Sequence, residues 1–330
     1  MTRDAAPAEA VTVRRTLPTD HLRVLTLMEV ALGWRPEVPN DAFFAWKHQA
    51  NPFGPSPSWV AVVGDTVVGF RTLMRWEFDT PDGPVRAVRA VDTATHPDHQ
   101  GRGIFSALTM RAVDELRAEG VGFVFNTPND KSRPGYLKMG WHPVGQLPAG
   151  LRPASMMALP RIANARMPAE LWSVPSDAGQ PPQEVLGDEP AVAALLDSAP
   201  QPAGVTTRRS PAYLRWRYGF DPLGYRALLA GTSIADGMLL FRLRHRGSAT
   251  ELVVGDLLLP DPTEPAARRL VRTAVRTAGA DYALGLRTTA STGLLPLPRQ
   301  GPMLTWRALA NDSMPPLGHW KLSLGDIELF

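Results

Sequence analysis

The chain has 330 residues, a length that favours two domains. Hydrophobic residues make up 44% and charged residues 20%, which is typical of a soluble globular protein. The net charge of +3 indicates no large nucleic-acid-binding surface, and the absence of cysteine excludes disulfides and cysteine catalysis. No apolar run has the length of a membrane span or of a signal-peptide core, so we expect a cytoplasmic protein with neither membrane nor nucleic-acid partners.

The first half of the chain alternates strand and helix signals. We expect a flexible tail over residues 1–10, and then one strand, two helices and three antiparallel strands from apolar periodicity and chain breakers. A glycine-rich turn, a helix and a further strand follow. The predicted elements are Val11–Arg15, a helix after Asp20, a helix after Asp41, Trp59–Val63, Val67–Arg75, Val85–Thr95, a helix at about 102–119, and Gly122–Asn126.

The glycine-rich turn indicates a ligand site. It follows the β-branched strand that ends at Thr95 and leads directly into a helix, whose N-terminus offers unpaired N–H groups and a positive dipole end. Gly101 and Gly103 let the backbone approach a ligand closely, and Arg102 adds positive charge. The pattern predicts a phosphate or pyrophosphate site, although it has neither the Gly-Lys-Ser/Thr of a P-loop nor the three-glycine spacing of a dinucleotide fold.

Two patterns in this region resemble signatures of the GNAT family, the GCN5-related N-acetyltransferases. The first, Gln/Arg-x-x-Gly-x-Gly/Ala, is matched by Gln100 and Gly103, with Phe105 where the family has a small residue. The second, Asn-x-x-Ala/Ser-x-x-x-Tyr-x-x-x-Gly-Phe/Trp, is matched at every position by Asn129, Ser132, Tyr136, Gly140 and Trp141. The resemblance covers roughly residues 11–145 and implies an α/β fold built on a mixed sheet.

This resemblance implies an N-acetyltransferase with acetyl-CoA as co-substrate and no metal. The implied acetyl-CoA-binding residues are Thr95, Gln100, Gly101, Arg102, Gly103, Ile104, Phe105, Asn129 and Ser132. The strand amide that polarises the thioester corresponds to the backbone of Thr93, and the family's general acid corresponds to Tyr136. Because the chain has no cysteine nucleophile, we expect a primary amine to attack the thioester directly in a ternary complex.

An internal repeat predicts a second domain. Phe43–Lys47 aligns with Tyr213–Arg217, and Asn51–Gly54 aligns with Asp221–Gly224, both at an offset of 170 positions. The elements expected after the second copy are Arg226–His245, Glu251–Leu259, Glu264–Ala278 and Tyr282–Leu286. The large Trp46 and Trp216 are expected to lie in a core.

The predicted fold class is therefore α/β, with two GNAT-like domains in tandem. We expect an N-terminal domain at 11–150, a proline-rich linker at 151–184 and a degenerate domain at 185–330. No glycine opens the turn Pro262–Ala267 of the second copy, and Glu264 would repel a phosphate. The second domain is therefore interpreted either as packing or as a wall of the acceptor site.

Several points stay open at the level of sequence. The general base is undetermined among Asp92, Glu77, His96, His99 and the terminal carboxylate of Phe330. Lys131, Arg133 and Lys138 form either a solvated face or phosphate contacts, and Pro134 predicts a late start or a kink in its helix. The acceptor is a small-molecule or peptide amine, and the protein a monomer or homodimer. A longer acyl-CoA donor and a non-catalytic acyl-CoA sensor or scaffold are the alternatives.

Overall fold

The computed structural model describes residues 10–35, 39–165, 167–199, 203–261, 263–288, 293–310 and 313–328. The predicted tail, apart from residue 10, and the terminal Phe330 lie outside these ranges. None of the described helices is both long and apolar enough to cross a membrane.

The elements of the first half follow the predicted order. Apolar side chains of the helix after the glycine turn pack against the sheet, including Ile104, Leu108 and Leu116. The elements are β1 (Thr12–Arg15), α1 (His21–Leu32), α2 (Asn40–His48), β2 (Ser58–Val63), β3 (Thr66–Thr80), β4 (Gly83–Thr95), α3 (Ile104–Ala118), β5 (Phe123–Asn126), α4 (Arg133–Lys138) and β6 (His142–Gln146).

The second half contains the strands and the helix expected after the repeat, together with shorter elements. They are β7 (Ala149–Pro153), α5 (Leu159–Asn164), α6 (Pro182–Leu186), α7 (Glu189–Ser198), β8 (Thr206–Thr207), α8 (Pro211–Tyr218), β9 (Arg226–Leu229), β10 (Met238–Arg246), β11 (Ala249–Leu258), α9 (Glu264–Thr277), β12 (Tyr282–Leu286), β13 (Leu295–Leu297), β14 (Met303–Ala308) and α10 (Leu324–Ile327).

The structure contains two mixed sheets, and each half of the chain contributes a strand to the sheet of the other half. The first sheet has the order β1-β2-β3-β4-β5-β14-β6, with β8 also paired to β3, and the second has the order β13-β7-β12-β11-β10-β9. Thus β14, from the end of the chain, lies antiparallel between β5 and β6, while β7, from the first half, lies antiparallel between β12 and β13. The predicted boundary at residue 150 falls inside β7, and the predicted linker 151–184 also contains α5 and the start of α6.

The first sheet opens on one side of β4. β4 is paired with β3 along its whole length, but its parallel pairing with β5 extends only from Ala87 to Arg89. From Ala90 to Thr95, the edge of β4 that faces away from β3 has no strand partner among the described residues. The backbone N–H and C=O groups on that edge are available to a ligand.

A reciprocal tryptophan pair joins the two halves. The Trp46 indole N–H donates to the Trp216 carbonyl at 2.6 Å, and the Trp216 indole N–H donates to the Trp46 carbonyl at 2.7 Å. The two rings stack with centroids 5.7 Å apart. Both residues are buried in a core cluster that contains side chains of both sheets, which confirms the predicted burial.

The segment around α10 is held by buried arginines from both halves. Arg89 of β4 donates to the carbonyls of Asp326 and Ile327, and Arg217 donates to those of Gly325 and Glu328. Arg242 pairs with the Glu328 carboxylate at 3.0 Å. The end of the described chain is therefore tied to the first sheet as well as to the second.

The strand exchange predicts how the chain tolerates being divided. A fragment of residues 1–150 lacks β14, so β5 and β6 would expose unpaired edges and the first sheet would not form stably. We expect the circular dichroism spectrum of this fragment to show little of the secondary structure that the same residues have in the intact protein. Co-expressed fragments 1–153 and 154–330 retain all the strands and should co-purify. A folded 1–150 fragment that binds ligands would contradict the dependence on β14.

Candidate active site

A cavity lies where β4 separates from β5, at the N-terminal end of α3. Its volume is about 510 Å³. It is bounded by the end of α1, the open edge of β4, the glycine turn, the start of α3 and the turn before α4. The lining residues are Ala31, Leu32, Thr93, Ala94, Thr95, His99, Gln100, Gly101, Gly103, Ile104, Phe105, Asn129, Lys131, Ser132 and Gly135.

The two glycines form a cradle that other residues would fill. Gly101 and Gly103 adopt left-handed φ angles of +75° and +76°, and a Cβ on either would project into open space. Gly103 is also the N-cap residue of α3, so the unpaired N–H groups of that helix face the same side. This arrangement fits a pyrophosphate, which needs close backbone approach and positive potential.

The open edge of β4 provides the second wall. Thr93 and Thr95, two of the predicted site residues, line the cavity, and the side chain of Gln100 reaches the Thr95 carbonyl at 3.5 Å. A thioester lying along this edge would meet main-chain N–H groups that no neighbouring strand uses.

An Asx turn opens α4. The Asn129 side-chain oxygen accepts hydrogen bonds from the Ser132 backbone N–H at 2.9 Å and from its hydroxyl at 3.0 Å. α4 begins late, at Arg133, so that Pro134 occupies its first turn, where a missing N–H costs least. Lys131 lines the cavity, whereas Arg133 pairs with Asp130 at 2.8 Å and Lys138 is exposed.

Phe105 lines the cavity and packs against the Tyr136 ring. The Tyr136 ring packs perpendicular to Phe105 at 5.4 Å and against Trp141 at 5.2 Å, and Tyr136 is buried. A Cβ at Gly135 would lie only 3.1 Å from the Phe105 ring, so the glycine makes room for the phenyl group that stands where the family has a small residue. Of the predicted site residues, Tyr136 and Arg102 do not line the cavity, and the Arg102 guanidinium contacts His99 at 2.9 Å.

The bulge in β4 is held by a buried charged cluster on α2. Arg71 pairs with Thr93 and Thr72 with Val91, which leaves Asp92 as the extra residue. The Asp92 carboxylate accepts from Lys47 at 2.9 Å and from His48 Nε2 at 2.8 Å, and His48 Nδ1 contacts the Ser56 hydroxyl at 3.1 Å. Asp92 is therefore engaged by α2 and does not line the cavity with its neighbour Thr93.

The cluster shifts the pKa values of its members. Burial alone would raise the pKa of Asp92, but the Lys47 charge and the His48 hydrogen bond outweigh it and hold that pKa well below its ordinary value. Burial lowers the pKa of Lys47 and of His48, although the Asp92 carboxylate opposes both shifts. A carboxylate so firmly held in its charged form is a weak proton acceptor, which disfavours Asp92 as the general base.

The other base candidates are dispersed. Glu77 pairs with Arg208 at 3.4 Å, and the His96 ring accepts from the backbone N–H of Asp98. Neither residue lines the cavity, whereas His99 does. The carboxylate of Phe330 lies outside the described residues. Within the described ranges, no group of three or more metal-ligating side chains is close enough to hold a metal ion.

Comparison with known proteins identifies the class. Residues 12–144 match the model of the acetyltransferase (GNAT) domain family. This part of the chain, which contains the glycine cradle and the open edge of β4, is similar to GNAT acetyltransferase domains, and the resemblance drawn from the two signatures is confirmed. No curated protein is similar enough to the chain to count as a match.

Solved structures extend the likeness in fold to most of the chain. A GCN5-related N-acetyltransferase from Anabaena variabilis matches with TM-score 0.60 and 13% identity, over 91% of this chain and 73% of that one. One from Kribbella flavida matches with TM-score 0.61 and 14% identity, over 92% and 72%. Eis1 from Mycobacterium abscessus matches with TM-score 0.56 and 18% identity, over 91% and 74%. The predicted fold class, α/β with two mixed sheets, is confirmed.

Sequence reasoning missed several contributors to the site. The end of α1 supplies Ala31 and Leu32 to the cavity, and α2 supplies the cluster that holds the β4 bulge. Arg71, a buried residue on β3, contacts Tyr136. Arginine, lysine and histidine on amphipathic segments ordinarily indicate an exposed face, so no local signal marked them.

The buried histidine predicts a pH dependence of stability. Because its folded pKa is lowered, the unfolded chain binds the proton more readily, so stability rises with pH up to about 6.5 and is constant above. One such group contributes at most about 1.4 kcal/mol per pH unit to the slope of the free energy of unfolding against pH. Urea unfolding between pH 5 and 7 should show a flatter dependence in His48→Gln than in wild type.

The matched control for this measurement is the exposed His142, changed to Gln. It should leave the pH dependence as in wild type. Wild-type stability that instead fell with rising pH would mean that the Asp92 carboxylate keeps His48 protonated in the fold.

Proposed function

We propose that this protein is an acetyl-CoA-dependent N-acetyltransferase that acetylates a primary amine. The observation that carries the proposal is the cradle of Gly101 and Gly103 at the N-terminus of α3, next to the unpaired edge of β4. The names of structural neighbours such as the GCN5-related N-acetyltransferase from Anabaena variabilis support the same reaction class. A longer acyl-CoA donor is compatible with the same cradle.

In this proposal, each part of the site has one task. The backbone N–H groups around Gly101 and Gly103 bind the pyrophosphate, and Asn129 and Ser132 shape the opposite wall. The Thr93 backbone polarises the thioester carbonyl and stabilises the oxyanion that forms when the amine attacks. The C–S bond then breaks, the nitrogen loses one proton to solvent, and Tyr136 gives a proton to the departing sulfur and is reprotonated from solvent. The products are an N-acetyl amine and free coenzyme A.

We further propose that the two sheets are the cores of two domains and that the second does not bind acyl-CoA. α9 begins after Thr263, whose side chain caps Ala266 at 3.4 Å, and the described residues of the turn before it, 259–261 and 263, include no left-handed glycine like Gly103. In this proposal the second domain shapes the acceptor side of the first. The acceptor is a small-molecule or peptide amine.

A second candidate function is that of an acyl-CoA sensor without catalysis. It is favoured by Phe105, which lines the cavity and packs against Tyr136, whereas Tyr136 itself does not line the cavity. In that case the cradle would still bind coenzyme A, but Tyr136 would serve only the core. Binding and turnover must therefore be measured separately.

Calorimetric titration with acetyl-CoA tests the cradle. We expect micromolar binding to wild type and its loss in Gly103→Glu, because the new carboxylate would occupy the pyrophosphate position and repel it. The control is Gly279→Glu, at a left-handed glycine (φ +63°) that also faces open space, beyond the end of α9. It carries the same backbone strain of about 1–2 kcal/mol and should keep wild-type affinity. Equal loss in both variants would assign the effect to strain.

Turnover of an amine panel tests the role of Tyr136. In Tyr136→Phe, the rate of coenzyme A release should fall by about 100-fold or more while acetyl-CoA affinity is kept, because only proton transfer is removed. The control is Tyr225→Phe, since Tyr225 is likewise buried and accepts from an arginine, Arg217, at 3.0 Å. Unchanged turnover in Tyr136→Phe, with binding intact, would favour the sensor.

A further inference from the structure

Arg71 is a buried arginine beside the proposed acid. It lies on β3 directly opposite Thr93 in the β3–β4 register, and none of its surface is exposed. Its Nη1 donates to the Tyr136 hydroxyl oxygen at 2.8 Å. The guanidinium carbon lies 5.4 Å from the Tyr136 ring centroid and 5.7 Å from that of Phe105.

Arg71 has no ionic partner among the described residues. Its Nε and Nη2 are buried without a hydrogen-bond partner among the described residues, and no carboxylate there pairs with it. The buried Arg89 and Arg217, by contrast, donate to carbonyls of the α10 segment. A buried charge without an ionic partner costs several kcal/mol, which the two aromatic rings and the Tyr136 hydrogen bond offset in part.

The hydrogen bond also leaves the Tyr136 proton free. A guanidinium has five donors and no acceptor, so Arg71 occupies a lone pair of the phenol oxygen and cannot receive its hydrogen. The described residues provide no other hydrogen-bond partner for this hydroxyl. The hydroxyl hydrogen is therefore directed away from Arg71 and is not held by it.

We propose that Arg71 is a positioning residue that supports Tyr136 as the general acid. This inference rests on the proposed function. When the O–H bond of Tyr136 breaks and the S–H bond of coenzyme A forms, negative charge develops on the phenol oxygen. The guanidinium hydrogen bond then becomes charge-assisted and stronger, which favours proton release. The phenolate regains its proton from solvent after the products leave.

The charges around Tyr136 single out Arg71 as its electrostatic partner. Among the described residues that contact Tyr136, Phe105 on α3 and Trp141 after α4 are neutral, and Arg71 on β3 is charged. On its own helix, Arg133 is paired with Asp130 and Lys138 is exposed. Removal of the Arg71 charge should therefore make proton loss from Tyr136 less favourable.

The test is a pH titration of the protein labelled at the tyrosine ζ carbon, followed by NMR. The chain has five tyrosines, and the Tyr136 signal is assigned by its loss in Tyr136→Phe. Burial raises the pKa of the other four, Tyr213, Tyr218, Tyr225 and Tyr282, so they are internal references. We expect the Tyr136 signal to reach its phenolate position at a pH lower by about one unit or more in wild type than in Arg71→Met.

Arg71→Lys keeps the charge and should give an intermediate midpoint, an outcome that a purely structural role would not produce. Should Arg71→Met not fold, Arg71→Gln removes the charge while keeping a donor. Identical Tyr136 midpoints in wild type and the uncharged variants would overturn the proposal. That result is distinct from a failure of acetyl-CoA to bind, which would overturn the proposed function and leave the titration unaffected.

Discussion

The reciprocal hydrogen bonds between Trp46 and Trp216 are the contact on which the arrangement of the molecule depends. Each buried indole N–H finds its partner only in the other half, and an unpaired one would cost about 1–3 kcal/mol. Trp46 is followed on α2 by Lys47 and His48, which hold the Asp92 bulge one residue before Thr93. The contact that joins the halves therefore also fixes the helix that shapes the edge of β4 facing the cavity.

The exchange of β7 and β14 adds a second constraint of the same kind. β14 completes the first sheet between β5 and β6, and β7 completes the second between β12 and β13. A strand in the interior of a sheet has ladder hydrogen bonds on both edges, so its removal exposes two edges at once. Separation of the halves would break the sheet that carries the cavity as well as the interface between the two halves.

The sequence predicted the parts of this structure that are encoded locally. Alternation and breakers predicted the strands and helices of the first half, the glycines predicted the turn, and the offset of 170 positions predicted the repeat. It did not predict the strand exchange, because a strand pattern does not specify its partner. The Asp92 bulge depends on a cluster assembled from α2. Arg71 stands in a strand where arginine ordinarily indicates solvent, and only tertiary packing buries it.

These constraints explain how the second half can retain its fold without a glycine cradle. It supplies β14 to the first sheet, the Trp216 partner of Trp46, and the α10 carbonyls that accept from Arg89 on β4. None of these contributions involves the turn before α9, where Thr263 caps the helix. We therefore expect substitutions at that turn to leave the first sheet intact, and substitutions in the core of the second half to weaken the sheet that carries the cavity.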